Sequence, residues 1–155
     1  MTILAEALRA CAGGILTAEA GISLLIDCGG WLHRDDFTSQ FIIAATSISD
    51  GTLMASIDWQ AAVTALDDGR LPCSSGERHM LRLAASIAAG IPVRLCDALT
   101  GIDHGNADIV IRAVAHATGT GLPGNGTIAA GPAPRPGSTT LMITGAGRPG
   151  SPSRP

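Results

Sequence analysis

Ser74 and Glu77 stand three residues apart immediately ahead of an apolar period, and Gly90 followed by Pro92 closes that period about four turns later. A serine whose hydroxyl caps a helix while a glutamate reaches back to the serine's own N–H is a reciprocal capping box. A glycine and then a proline cannot continue a helix. The spacing therefore predicts a helix over 75–89. Met80, Ala84 and Ile87, with Leu83 and Ala88, form its apolar stripe, while Arg78, Arg82 and Ser86 lie on the opposite face. A second helix is predicted after Asp103, ending at Gly119. In it Val110, Ala113, Val114 and Ala117 face inward, and Asp108 is placed to pair with Arg112 four residues on.

Earlier in the chain, Thr2 caps a first helix to about Ala12 with Leu4, Leu8 and Cys11 on one face, and Gly13-Gly14 ends it. Thr17 caps a second helix over 18–28, with Glu19 in its first turn and Leu24, Leu25 and Cys28 buried. Asp35 or Asp36 caps a third, in which Phe37, Phe41 and Ala44 or Ala45 repeat at helical spacing to about Thr46. The run from Ser47 to Ile57, with Ser49-Asp50-Gly51, then reads as a connector with a turn. Asp58 caps a fourth helix whose stripe is Trp59, Ala62, Val63 and Leu66, closed by Gly69. Trp59, the largest side chain in that stripe, is expected in the core against helix 75–89. Val93 to Cys96 allows a short extended piece before a turn at Asp97. The chain thus reads as all-α, a compact bundle of five to seven short helices over 1–119.

Composition supports that choice. Hydrophobic residues make up 46% of the 155-residue chain but aromatic ones only 3%. A core built of Ala, Leu and Ile suits close helix packing better than a sheet, and roughly 120 folded residues can bury about two-thirds of their unfolded surface without staples. Through Gly119 there are 7 Arg against 13 Asp and Glu, formally −6. The other 36 residues hold Arg135, Arg148 and Arg154 and no acid, bringing the total to −3. An acidic domain repels phosphate backbones, which argues against direct nucleic-acid binding. The four cysteines, Cys11, Cys28, Cys73 and Cys96, are far apart, and no secretory signal precedes them. They read as reduced thiols of a cytoplasmic protein. The longest apolar region, Ile15 to Leu32, is broken by Glu19 and Asp27, so no membrane span is expected.

Candidate chemistry concentrates between Cys73 and His79. Cys73 and His79 are the candidate catalytic residues, with Ser74, Ser75, Gly76 and Arg78 as candidate ligands for an anion at the helix start. The cysteine-phosphatase loop needs Arg six residues after Cys, where this chain has His79. The four His, at 33, 79, 104 and 116, lack zinc-site spacing, so neither metal nor cofactor is expected. Asp35-Asp36 and Asp67-Asp68 fall at helix ends, where capping explains them. The segment from Ser74 to Gly90 with Asp97 to Asp103 resembles the signature helix and D-loop of ATP-binding cassette ATPases. However, Ala98 stands where their catalytic glutamate would, and the chain has no Lys at all for a phosphate loop.

A broader resemblance spans roughly residues 17–119. The succession RDDF, TSISDGT, DWQAAVTALDDGRLPCSSGER, RLAASIAAGIPV and DALTGID is similar to a family of small uncharacterised proteins of GC-rich Gram-positive bacteria, which often read LPCSGGE at Leu71 to Glu77. That resemblance implies no activity. The expectation is a non-enzymatic helical interaction module, regulatory or accessory to a mobile element, working through a protein partner or as a homo-oligomer. The competing expectation is a small enzyme or ligand-binding protein using the Cys73–His79 loop.

Past Gly119 the chain holds eight Gly and seven Pro in 36 residues around one apolar island, Leu141-Met142-Ile143. Such a segment buries too little surface to offset its ordering entropy and reads as a flexible tail. Removing residues 120–155 should shift the melting temperature by no more than about two degrees. A larger drop in a thermal scan would mean the island contributes to the fold.

Overall fold

The computed structural model describes residues 2–48 and 51–120, all within one compact unit, Met1–Leu122. Residues 49 and 50, the side chain of Thr2 with its expected cap, and the tail from 121 onward lie outside the described residues. The elements in chain order are α1 (Thr2–Ala12), α2 (Leu16–Cys28), a 3₁₀ turn (Trp31–His33), α3 (Asp35–Phe41), β1 (Ile42–Thr46) and β2 (Leu53–Ile57). They are followed by α4 (Trp59–Asp67), α5 (Ser75–Ala89), α6 (Leu95–Thr100) and α7 (His104–Ala117).

The local capping signals hold. Ser74 and Glu77 form the full capping box, Asp58 accepts from the Ala61 N–H, Asp103 accepts from the Asn106 N–H, and Gly90 closes α5 at φ 69. Other starts differ. The residue ahead of α2 is Ile15, without a side-chain cap, and it is Glu19 rather than Thr17 that serves the helix end, accepting from the Gly14 N–H at 2.8 Å. Arg34 precedes α3, and the Asp36 carboxylate takes the Arg34 guanidinium at 2.6 Å. Asp97 lies inside α6, which begins after Arg94 where an extended piece was expected.

The largest correction is a hairpin. The third helix stops at Phe41, and Ile42–Thr46 pairs antiparallel with Leu53–Ile57 in the register Ile42↔Ile57 to Thr46↔Leu53, so the fold is mainly helical but not all-α. Ala44 and Ala45 continue the period of Phe37 and Phe41 only by coincidence. Two β-branched isoleucines, a threonine and the Gly51 turn, at φ 72, decide for strands.

α2 is the central helix, packed along α5 and α7, while α1 lies over β2. At the α2–α5 crossing the backbones approach closely: a Cβ at Gly21 would come within 2.6 Å of the Ala88 Cβ and 2.7 Å of the Ala84 carbonyl oxygen. The low aromatic content follows from such crossings of small residues. The aromatics that exist are gathered: Trp31 and Phe37 have ring centroids 5.2 Å apart, and Phe37 and Phe41 are 5.5 Å apart.

Trp31, not Trp59, is the buried tryptophan. Its ring is 1% exposed, and its indole N–H donates to the Glu77 carbonyl at 3.1 Å, whereas Trp59 is half-buried at the rim of the core. Cys11 is likewise exposed, and α1 instead buries Ala7, Leu8 and Ala12. Trp31→Ala should cost about 3–5 kcal/mol, and Trp59→Ala about 1–2 kcal/mol. Chemical denaturation of the two variants checks that order, and equal losses would contradict it.

Candidate functional site

Each residue of the Cys73–His79 loop has a structural partner or a defined surface. Ser74 Oγ accepts from the Glu77 N–H at 3.2 Å, and Glu77 Oε2 accepts from the Ser74 N–H at 2.8 Å and its hydroxyl at 2.9 Å. Arg34, whose guanidinium stacks 4.8 Å from the Trp31 ring centroid, donates to the Pro72 carbonyl at 2.8 Å. Cys73 is half-buried and packs on the core, Ser75 is exposed, and Gly76 and Arg78 are half-buried in the first turn. The His79 ring lies against Gly101, at the end of α6, so closely that a Cβ there would overlap it. Ser74 and Glu77 are thus spent on starting α5, the Pro72 and Glu77 carbonyls join it to the segment Trp31–Arg34, and His79 packs on the end of α6.

Burial pushes the Cys28 thiol up, and its Sγ donates to the Leu25 carbonyl at 3.3 Å. No disulfide joins the four cysteines. Among the described residues no group of three or more His, Cys, Asp or Glu could hold a metal ion, and no helix is long and apolar enough to cross a membrane.

A second polar feature joins α2 to α7. Glu19, Ser23 and Asp27 recur at four-residue intervals on α2, and Arg112 and His116 do so on α7. Glu19 meets the His116 Nε2 at 2.8 Å, and Asp27 meets Arg112 at 3.7 Å, with the two helices running in opposite directions. Arg112 therefore pairs with Asp27 rather than with Asp108. Ser23 sits between the bridges, lining two small clefts with His116. The four-residue spacing was visible in the sequence, but the matching of one helix to the other was not.

A recess of about 420 Å³ lies between α6 and α7, lined by Leu99, Ile102, Asp103, His104, Ala107, Val110 and Ile111. Its walls invert the usual order of burial. α6 buries the small Ala98 and leaves Leu95 58% and Leu99 48% exposed. α7 buries Val110 and Ala113 and leaves Ile111 57% and Val114 48% exposed. Val114, expected inward, faces out because α7 is apolar around more of its circumference than α2 and α5 cover. The signal was present: Ala107, Ile111 and Val114 form a second stripe beside Val110, Ala113 and Ala117. Asp103 lies on the wall of this recess, and Asp97 of α6 is bridged to Arg94 at 3.4 Å.

No protein-family model, no curated protein and no solved structure matches this chain.

The capping box makes a pH prediction. The Ser74 N–H and hydroxyl, with the Arg34 charge, hold the Glu77 carboxyl below its ordinary value of 4.5, and Glu19 and Asp36 are lowered by their own partners. A carboxylate with a depressed folded-state pKa stabilises fully above its unfolded value, and that stabilisation is lost as pH falls through the folded value. Melting temperature should therefore hold near neutrality and fall on acidification below pH 4.5. Glu77→Gln removes the charge while an N3 glutamine can keep the capping-box hydrogen bond, and it should flatten part of the acid limb. An unchanged limb in the variant, read by thermal scans at several pH values, would contradict this.

Proposed function

We propose that the chain is a non-enzymatic helical interaction module that docks an amphipathic helix of a protein partner on the α6–α7 surface. The observation that carries this is the inverted burial of those two helices: Leu95, Leu99, Ile111 and Val114 lie outside while Ala98 and Ala113 lie inside. A contiguous patch of large apolar side chains left in water by a folded domain favours association with a complementary surface. Leu95 and Leu99 stand four apart on one helix, and Ala107, Ile111 and Val114 stand four and three apart on the other. A groove between two such rows accepts a third helix with anchors at the same intervals. Asp103 on the recess wall favours a helix that carries a basic residue at that end.

The Cys73–His79 loop gives less support to an enzyme. Ser74 and Glu77 are engaged with each other, and the His79 ring packs on Gly101. The family that the sequence resembles fits the same reading. The residues that carry that resemblance, Arg34, Asp58, Ser74, Glu77 and Asp103, cap or clamp the fold here.

The test is titration of the isotope-labelled chain with a synthetic amphipathic peptide bearing leucines at i, i+4 and i+7 and lysines at both ends. Amide shifts should cluster at Leu99, Ile111 and Val114 and weaken with salt. Leu99→Asp and Ile111→Asp should abolish them while leaving melting within about two degrees, since both side chains are exposed. Shifts confined to other surfaces, or none, would overturn the reading.

A further inference from the structure

The hairpin has an uncovered edge. Asp58 donates to the Phe41 carbonyl and Ser47 to the Thr52 carbonyl, each at 2.8 Å, so the hydrogen-bonded pairs of the β1–β2 ladder are Phe41/Asp58, Ile43/Ser56, Ala45/Met54 and Ser47/Thr52. In an antiparallel pair the residues between these aim their backbone groups away from the partner strand. Those are Ile42, Ala44 and Thr46. The Ile42 N–H is taken by the Thr38 carbonyl as α3 ends. The Ile42 carbonyl and both backbone groups of Ala44 and Thr46 have no protein partner among the described residues.

Natural sheets blunt such edges with charge, proline or a bulge. β1 has none of these. From Ile42 to Ile48 the chain carries no ionisable residue and no proline, and the register with β2 runs without interruption. Ala44, Ala45 and Thr46 are exposed, Ile43 is 59% exposed, and a two-stranded ribbon is itself a marginal sheet.

We infer that β1 pairs edge to edge with the β1 of a second copy of this chain, giving a four-stranded antiparallel sheet across a two-fold axis at Ala44. The register is self-complementary. The two Ala44 residues exchange both hydrogen bonds, and each Thr46 N–H meets the other copy's Ile42 carbonyl, which leaves the already satisfied Ile42 N–H out of the new ladder. On the solvent face each Ile43 falls opposite an Ala45, large against small, and β-branched Ile42 falls opposite Thr46. No charge opposes its own copy anywhere in the strand, and this neutrality suits a symmetric pairing better than it suits a chosen foreign strand. Five residues a side bury far less than the about 1,600 Å² of a standard interface, so the dimer belongs to the weak, concentration-dependent class.

The experiment combines sedimentation with site-resolved amide exchange over a concentration series. A monomer–dimer equilibrium should emerge at high protein concentration, and the Ala44 and Thr46 amides, fast in the dilute chain, should slow together with it. Ala44→Lys should give a monomer with unchanged melting, because like charges would meet at the axis, and mixing it with Ala44→Glu should restore a one-to-one dimer. Ala44→Pro, which removes only an outward N–H, should also stay monomeric. A chain that remains monomeric at every concentration overturns the inference. So does a dimer indifferent to these variants, or slow Ala44 and Thr46 exchange in the dilute monomer. None of these outcomes bears on the α6–α7 groove, whose variants lie on other elements.

Discussion

One indole hydrogen bond joins the 3₁₀ turn to the start of α5. Trp31 reaches 46 positions along the chain to donate to the Glu77 carbonyl, a group in the first turn of α5. The bond sits beneath Arg34, which covers the ring, and beside the capping box that starts the helix. A buried indole N–H without a partner carries the full desolvation penalty of an unmet donor, so the ring and the helix start must be placed together. Phe37 packs tilted against Trp31 and Phe41 against Phe37, and Arg34 continues the clamp to Pro72. The loop richest in reactive residue types is therefore the hinge on which the core is assembled.

That arrangement explains what could be read in advance. Caps at Asp58, Ser74 and Asp103 depend on residues three apart, and their geometry is complete within one turn; they were legible from residue types alone. The clamp at Trp31 is non-local. Nothing in Trp31-Leu32-His33 announces a partner beyond Pro72, and the clean stripe that begins at Trp59 drew attention to the wrong tryptophan. Position explains the difference: Trp59 opens α4 at the rim, while Trp31 lies in a turn enclosed by α3 and α5. The hairpin was hidden for another reason. Two phenylalanines four apart set a helical period, and alanines, which suit either element, let it run on into β1.

The two helices at the C-terminal end of the described domain obey a different rule from the rest. Elsewhere large side chains go in: Leu8, Leu24, Leu25, Leu66, Leu71 and Leu81 are all fully buried. On α6 and α7 the buried residues are Ala98, Val110 and Ala113, while Leu95, Leu99, Ile111 and Val114 stay exposed. A sequence pattern reports that a face is apolar, not which of two apolar faces is covered. Val114 was assigned inward on the strength of its chemistry, and the structure separates it from Ala113 by one step around the helix. The same limit applies to the Glu19–His116 and Asp27–Arg112 bridges, whose spacings were present on each helix without indicating that the helices meet.

The Gly21 crossing also governs how the molecule can move. Sliding α2 by one turn in either direction would bring Thr17 or Leu25 to the place where Gly21 meets Ala84 and Ala88, and no side chain fits there. α2 and α5 consequently behave as a keyed shaft with a single seating, unable to creep past one another as loosely packed helices do. Any rearrangement that accompanies a partner's arrival must therefore leave this crossing in register and be taken up by the elements packed around it.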